Sequence, residues 1–148
     1  MAPIWCYGGV MIRAVVDTNV LFEGLTHFGP SADVMDAWVA GDFQPCVSTA
    51  LALEYQDVLG RKLRPVRGEA ALMALQALLA RSLYVPIRFS YRPASTDPGD
   101  DLVIDCVLNS RSVLVTSNVR DFREPARQFG FVVMRPPEFL HLIAETKP

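Results

Sequence analysis

Histidine and cysteine are scarce in this chain, and their scarcity excludes several kinds of functional site. The two histidines, His27 and His141, are far apart, so they offer no histidine-rich zinc site and little material for a serine–histidine triad. The three cysteines, Cys6, Cys46 and Cys106, are odd in number and lack the spacing of a metal site. Few cysteines without a pattern are typical of reduced thiols, so we expect a cytoplasmic protein.

The chain also lacks an excess of basic charge and a long apolar run. Its 14 basic and 16 acidic side chains give a formal net charge of −2, which excludes a protein that coats nucleic acid through a basic surface. If it binds RNA or DNA, it must do so locally or through a metal ion. No apolar run approaches the roughly 20 residues of a membrane span, so we expect no membrane contact.

The length of the chain favours a single domain. Its 148 residues are enough for one domain with a full core. The first ten residues are too short for a signal peptide and lack its basic region, and Met11 follows them directly. We therefore take residues 1–10 as an N-terminal extension of uncertain status and residues 11–148 as the domain.

Short apolar segments alternate with helical patterns along this domain. β-Branched residues predict strands at 12–16, 45–47, 83–87, 113–116 and 131–134. Helices are predicted at 32–40, 49–59, 69–81, 100–110 and from Pro136 or Pro137 onward, with a helix or turn at 18–26. Ser31 and Ser48 are the expected N-caps of the first two helices, and Gly41 and Gly60 their expected ends. The alternation is typical of an α/β domain whose mostly parallel sheet is covered by helices.

Acidic residues follow two of the predicted strands. Asp17 ends the stretch AVVD, and Asp121 lies in the polar segment that follows VLVT. Ligands bind at the carboxyl ends of the strands in open α/β sheets, so neighbouring strands would bring Asp17 and Asp121 to one crevice. Asp17 could instead serve only as the N-cap of the next helix, with Thr18 and Asn19 as turn residues.

The segment DPGDDLVID, residues 97–105, holds four aspartates in nine positions and no base. The dipole of a helix favours acids in its first turn, which explains one or two of them but not Asp105. Asp101 and Asp105 are spaced i, i+4 and therefore share a helix face. Because their neighbours are almost all apolar, this helix should be largely buried, and a carboxylate on it needs a partner.

A further acid, Glu54, lies inside the helix predicted at 49–59, at the border of an apolar stripe. A glutamate in mid-helix is usually solvated, so Glu54 alone would carry little weight. Two carboxylates about 4 Å apart, however, repel by about 1 kcal/mol in water and about 4 kcal/mol near a protein surface. Several in one crevice imply that some are protonated or that a hard cation lies among them. Oxygen ligands without histidine or cysteine favour Mg²⁺ or Mn²⁺.

Four motifs, in this order, resemble those of the PIN-domain ribonucleases, in particular the toxin subunits of bacterial toxin–antitoxin pairs (VapC-like). They are VVDTNVL at 15–21, STALALEYQDVLGRK at 48–62, DPGDDLVIDCVL at 97–108 and VLVTSNVRDF at 113–122. The ending VVMRPPEFLHLI is similar to a C-terminal strand and helix of one branch of that family. The likeness covers nearly the whole chain from Met11.

The resemblance implies a three-layer α/β/α fold with a central, mostly parallel sheet of about five strands. It implies a Mg²⁺- or Mn²⁺-dependent endoribonuclease that hydrolyses RNA phosphodiester bonds, commonly as a homodimer with a small antitoxin partner. Asp17, Asp101 and Glu54 would hold the metal, and Asp121 or Asn118 would complete the catalytic site. The residues expected to support them are Thr18, Asn19, Asp100, Asp105 and Thr116.

One departure from the family concerns Asn118, where some branches carry an aspartate. Asparagine offers an oxygen without the charge, so we expect one firmly bound ion, with Asp121 compensating. Asn118 also favours the alternative function, a catalytically weak PIN-fold module that binds RNA or protein. The DTN motif is similar to that of haloacid-dehalogenase-type phosphatases as well, but Asn19 stands where those enzymes need a second aspartate.

Two groups of basic residues lie at the ends of the second and fourth motifs and just beyond them. They could be solvated helix ends, with Arg61 pairing with Asp57 at i, i+4. They could instead contact RNA phosphates. The candidates for that contact are Arg61, Lys62, Arg64, Arg120 and Arg123.

Overall fold

The computed structural model of the chain describes residues 11–92, 95 and 97–146. The predicted extension, residues 1–10, lies outside them. The strands of the described part are β1 (Arg13–Val16), β2 (Gln44–Val47), β3 (Leu83–Tyr84), β4 (Val113–Val115) and β5 (Val133–Met134). They form one parallel sheet in the order β3-β2-β1-β4-β5.

Seven helices flank this sheet in the described part of the chain. They are α1 (Thr18–Thr26), α2 (Pro30–Ala40), α3 (Thr49–Lys62), α4 (Pro65–Ala80), α5 (Pro98–Ser110), α6 (Val119–Phe129) and α7 (Pro136–Thr146). The arrangement confirms the predicted three-layer α/β/α fold with a parallel, five-stranded sheet. None of these helices is long and apolar enough to cross a bilayer.

The centre of the sheet is the pair β1 and β4. Their inner residues are apolar and buried, and Val16 lies opposite Val115 in a parallel register. The order of the strands reverses between β1 and β4, which is the switch point where open α/β sheets bind ligands. The two strands are neighbours, which is the condition under which we expected the segments after them to meet, and Asp17 and Thr116 lie at the same edge.

Glycine and proline set two helix ends differently from the prediction. Ser31 is not the N-cap of α2: Gly29 takes that position with φ 133°, which favours glycine, and Ser31 is buried in the first turn. Gly41 ends α2 as predicted, in the left-handed conformation. Gly60 does not end α3, which continues past it. The chain leaves the helical conformation before Pro65, whose ring disfavours that conformation at the preceding residue.

Helix α6 is an element that we did not predict from the sequence. We expected residues 116–122 to form a polar turn after β4, yet a helix begins at Val119. Val119, Phe122, Ala126 and Phe129 do recur at helical spacing, but most of the other residues are charged, and only Phe122 and Pro125 are buried. Pro125 inside the segment also argues against a helix when the sequence is taken alone.

Helix α3 is fixed to β1 by a buried hydrogen bond. Ser48 caps this helix as predicted, because its Oγ accepts a backbone N–H of the first turn at 3.1 Å. Tyr55 is fully buried, and its hydroxyl donates to the carbonyl oxygen of Val16 at 2.5 Å. Since Val16 directly precedes Asp17, this bond positions α3, which carries Glu54, against the end of β1.

Replacing Tyr55 by phenylalanine removes this hydrogen bond and keeps the ring. We expect Tyr55→Phe to lower the free energy of unfolding by about 1 to 3 kcal/mol, because the Val16 carbonyl loses a buried partner. Urea denaturation followed by circular dichroism measures the change. The control is Tyr84→Phe, since Tyr84 is 50% exposed. Equal losses in the two variants would contradict this role of the Tyr55 hydroxyl.

Candidate active site

A cavity of about 170 Å³ lies beside the end of β1 and is lined mainly by polar side chains. Three segments that are far apart in the sequence bring four carboxylates to it. The lining residues are Asp17, Thr18 and Asn19 after β1; Glu54, Val58, Arg61 and Lys62 of α3; and Asp97, Gly99 and Asp100 at the start of α5.

Asp17 is buried at the end of β1, with 5% of its surface exposed. It stands at the N-cap position of α1, but its side chain makes no capping hydrogen bond. Instead, its Oδ2 accepts from the hydroxyl of Thr116 at 2.8 Å. Burial raises the pKa of Asp17, the hydrogen bond with Thr116 lowers it, and nearby Asp121 raises it. The carboxylate is therefore held in place by Thr116, the residue after β4. Capping of α1 does not explain its orientation.

Thr116 connects the ends of the two central strands. Its side chain is fully buried, and its Oγ1 donates to Asp17 and accepts from the backbone N of Asn118 at 3.0 Å. The second bond orients the hydroxyl proton toward the carboxylate, because a hydroxyl has a single proton to donate. Thr116 thus fixes the orientation of Asp17.

Asp100 is the aspartate of α5 that reaches the cavity. Its pKa is raised to about 7, first by burial, then by the negative charges of Asp97, Asp17, Asp121 and Asp101. A carboxylate with this pKa is half protonated near neutral pH. The close approach of these acids is therefore unfavourable to their ionised forms, and a cation among them would relieve it.

Asp101 and Asp105 lie on a different side of α5 and face one partner. Both are buried, and Arg92 joins them: its Nη1 and Nη2 donate to Asp105 at 2.9 and 2.7 Å, and its Nε lies 3.6 Å from Asp101 Oδ2. The structure confirms that the two acids share a helix face. It also confirms that these buried carboxylates have a charged partner, which is Arg92. Asp101 does not line the cavity, but its Oδ1 is buried without a hydrogen-bond partner in the described residues.

Glu54 and Asp97 complete the wall between α3 and α5. Glu54 is half-buried, and its Oε1 lies 3.9 Å from the position that a Cβ on Gly99 would occupy. Asp97 is the N-cap of α5, and its Oδ1 accepts from the backbone N of Gly99 at 2.9 Å. Asp97 is absent from the predicted site residues, although its position before Pro98 in DPGDD is the signal of a helix N-cap that could have identified it.

The remaining acidic and amide candidates flank the cavity. Asp121 is exposed in the first turn of α6, outside the cavity lining, and its charge raises the pKa of both Asp17 and Asp100. Asn118 is the exposed N-cap of α6, and its side chain makes no capping hydrogen bond. The structure therefore keeps Asp121 within electrostatic range of the site.

Two of the five basic candidates reach the cavity. Arg61 lines it and pairs with Asp57 at 2.8 Å, as the i, i+4 spacing predicts. Lys62 lines it too, and its Nζ lies 5.3 Å from the centre of the Phe22 ring. The others are exposed outside the lining: Arg64 before α4, and Arg120 and Arg123 on α6.

The donor atoms of the site suit a hard divalent cation. They are carboxylate oxygens, and burial together with the neighbouring negative charges raises the pKa of Asp100. The unpartnered Oδ1 of Asp101 lies on the same helix, outside the cavity lining. In the described part of the chain, no group of three or more His, Cys, Asp or Glu side chains is already arranged to hold an ion. The carboxylates would therefore have to turn toward an ion that enters.

Several solved structures share this fold. PAE2754 from Pyrobaculum aerophilum matches with a TM-score of 0.61 and 17% identity, over 96% of this chain and 96% of that chain. VapBC2 from Rickettsia felis, bound to a DNA fragment from their promoter, matches with a TM-score of 0.60 and 12% identity, over 84% of this chain and 98% of that chain. VapBC-1 from nontypeable Haemophilus influenzae has a TM-score of 0.57 and 13% identity, over 85% and 99% of the two chains. At these identities the likeness is one of fold.

The sequence itself matches a domain family. No curated protein matches the chain. The family profile of the PIN domain, however, matches residues 13–120, a range that includes β1, β4 and every acid that lines the cavity. Because this match spans more than half of the chain, the protein belongs to the PIN domain family.

Proposed function

We propose that this protein is a metal-dependent endoribonuclease that hydrolyses RNA phosphodiester bonds, and that it is the toxin of a toxin–antitoxin pair. The observation that carries the proposal is the convergence of Asp17, Glu54, Asp97 and Asp100 on one cavity of a PIN domain. Such a concentration of acids does not stabilise the fold, as the raised pKa of Asp100 indicates. A function that needs a bound cation accounts for it.

Mg²⁺ or Mn²⁺ is the cofactor that we propose. Asp17, Asp100 and Glu54 would hold the ion from within the cavity, and Asp101 would contribute through its unpartnered Oδ1. In this proposal Asp100 is the main metal ligand beside Asp17, the central position that the motif resemblance gives to Asp101. A bound ion would polarise the scissile phosphate and lower the pKa of the attacking water.

The residues of the chain itself have separate tasks in the proposed reaction. Glu54 lies half-buried in the cavity wall, where its carboxylate can orient a water and accept its proton. Thr116 keeps Asp17 in one orientation through their buried hydrogen bond. Arg61 and Lys62 bring positive charge to the cavity, where they would bind the phosphates of the RNA.

The partners that we propose are an RNA substrate, a small antitoxin protein and a second copy of the chain. Two structures with this fold are VapBC assemblies, which supports an antitoxin partner. Cys46 and Cys106 are free and buried, which suits the cytoplasmic location that we propose.

The alternative is a catalytically weak PIN domain that binds RNA or protein. Two observations favour it: Asn118 brings no charge to the site, and no three donors in the described residues are arranged to hold an ion. RNA cleavage distinguishes the two functions.

Cleavage of a mixed, structured RNA by the purified protein is the first test. We expect cleavage with Mn²⁺ or Mg²⁺ and none with EDTA. Asp17→Asn and Asp100→Asn should each lower the rate by about 100-fold or more, because the loss of a charged ligand costs several kcal/mol of transition-state stabilisation.

The matched control for these variants is Asp36→Asn, because Asp36 is exposed on α2 and does not line the cavity. Its rate should equal that of the wild type. A larger loss in Asp101→Asn than in Asp100→Asn would overturn the central position of Asp100. A folded wild-type protein that cuts no RNA with either ion would favour the binding module.

Thr116→Val tests the positioning of Asp17. The valine has the same shape and cannot donate to the carboxylate, so we expect Mn²⁺ affinity and cleavage rate to fall by about 10- to 100-fold. Thr116→Ser keeps the hydroxyl and should restore most of both. Isothermal titration with Mn²⁺ and the cleavage assay provide the two measurements, and equal values for the valine and serine variants would refute the role of the hydrogen bond.

Asp100 should make the metal-free protein less stable as the pH rises. Its pKa is raised from 3.8 to about 7, first by burial and then by neighbouring acids. The stability linked to this shift is fully present below about pH 4 and is lost as the pH rises through about 7. In EDTA, the melting temperature of Asp100→Asn should therefore rise relative to that of the wild type between about pH 4 and about pH 7. Above about pH 7 the difference between the two melting temperatures should stay constant.

Thermal unfolding at several pH values measures that difference. Mn²⁺ binds ionised carboxylates, so it should raise the melting temperature of the wild type more above about pH 7 than below about pH 5. A difference between variant and wild type that stays the same at every pH would contradict the raised pKa of Asp100.

A further inference from the structure

Residues 88–92, with the sequence RFSYR, form a segment between β3 and α5 that is anchored at both ends. At one end, the Oδ1 of Asn109 accepts from the backbone N of Arg88 at 2.9 Å, and its Nδ2 donates to the carbonyl O of Phe89 at 2.9 Å. At the other end, Arg92 makes two hydrogen bonds to Asp105. Both anchors are on α5. This helix therefore holds the segment in place, although the segment itself has no regular secondary structure.

The segment holds two aromatic rings at the surface. Phe89 is 47% exposed and Tyr91 is 53% exposed. Their ring centroids are 5.9 Å apart in an edge arrangement, and Tyr91 stacks on Phe129 of α6 at 5.2 Å. The rings are thus fixed in position by each other and by the anchors, yet about half of each remains in contact with solvent. Ordered and exposed aromatic rings are a feature of binding surfaces.

The charge of this surface favours a polyanion. Arg88 is exposed, and among the described residues its guanidinium has no hydrogen bond or ion pair. Arg92 keeps 44% of its side chain exposed, while the acids that it pairs with are buried. On α6, the helix that contributes Phe129, Arg120 and Arg123 are also exposed. Arg88 and Arg92 thus bring positive charge next to the two rings, while α6 carries the exposed acids Asp121 and Glu124 as well as arginines.

The segment is connected to the acidic cavity through both helices that it contacts. Arg92 contacts Asp101, the residue after Asp100, which lines the cavity. Helix α6 carries Asp121, which is within electrostatic range of Asp17, in its first turn, and it ends at Phe129 beneath Tyr91. A chain of nucleotides that leaves the cavity along α5 or α6 would therefore reach the rings.

We propose that Phe89 and Tyr91, supported by Phe129 and flanked by Arg88, form a stacking platform for unpaired bases of single-stranded RNA. Aromatic rings interleaved with arginine are the chemistry that binds unpaired bases and their phosphates. The platform rests on the proposed function, because it serves the RNA that the cavity would cut. A base within a duplex cannot stack on these rings. The platform therefore requires a substrate that is single-stranded on one side of the cleaved bond.

The experiment measures RNA binding in the presence of Mg²⁺ by protein that carries Asp17→Asn to prevent cleavage. Fluorescence anisotropy gives the Kd for a short labelled single strand and for its duplex. Combining Phe89→Leu with Tyr91→Leu should weaken binding of the single strand by about 10-fold or more, because each stacked base contributes substantially to affinity. Binding of the duplex should stay unchanged.

Two controls separate stacking from a structural effect. Tyr91→Phe keeps the ring and should bind the single strand like the parent protein. Tyr84→Leu removes a ring that is 50% exposed on β3, outside the platform, and should leave the Kd unchanged. An unchanged Kd in the Phe89 and Tyr91 variant, or an equal loss for strand and duplex, would overturn the platform.

The remaining outcomes distinguish the platform from the nuclease and from a protein interface. Metal-dependent cleavage by the wild type, with an unchanged Kd in the double variant, would overturn the platform alone. Ring-dependent binding without cleavage by the wild type would support the platform and refute the nuclease. If the double variant changes a dimer into a monomer by sedimentation and leaves RNA affinity unchanged, the surface binds a second copy and the platform is wrong. Absence of any RNA binding would refute both.

Discussion

Electrostatic repulsion among the acids beside the end of β1 is the constraint on which the rest of the site depends. The apolar core imposes it, because Val16 and Val115 pair in the centre of the sheet and so hold the residues that follow them at one edge. Burial then raises the pKa of Asp17, and its hydrogen bond with Thr116 offsets only part of that effect. The free energy gained by burying the strands thus keeps together charges that would separate in water. A site of this kind is stable only as part of a larger fold.

Much of this arrangement could be predicted from the sequence, because it follows from local patterns and the geometry of parallel sheets. The β-branched runs identify β1 and β4, and the acid-bearing segments after them mark the edge where ligands bind. The sequence could not decide between Asp100 and Asp101, since consecutive residues of a helix point about 100° apart and the choice depends on how α5 is rotated. That rotation is set by tertiary contacts: Arg92 binds the face with Asp101 and Asp105, which leaves Asp100 toward the cavity.

The features that the sequence did not predict are those that depend on contacts between distant segments. Helix α6 is mostly polar and contains Pro125, and it is held by a few buried residues, Phe122 above all. Arg92 lies in a loop without regular structure, and the acids that it pairs with are on the following helix, α5. Gly60 is a predicted helix end, but α3 continues past it and ends just before Pro65, which constrains the preceding residue. Propensity is a local quantity, and tertiary packing overrides it at each of these positions.

The net charge of −2 suggests poor affinity for RNA, yet the distribution of charge matters more than its sum. Arg92 neutralises two acids of α5 that are buried and would otherwise add to the negative potential of the site. Four other acids lie together in one cavity, where a divalent ion would reverse the local sign. Within the described part of the chain, Arg88 has no ion pair, and it is exposed next to rings that could stack on bases. A chain with a small negative net charge can therefore present local positive charge at its surface and still hold a cluster of carboxylates in a cavity.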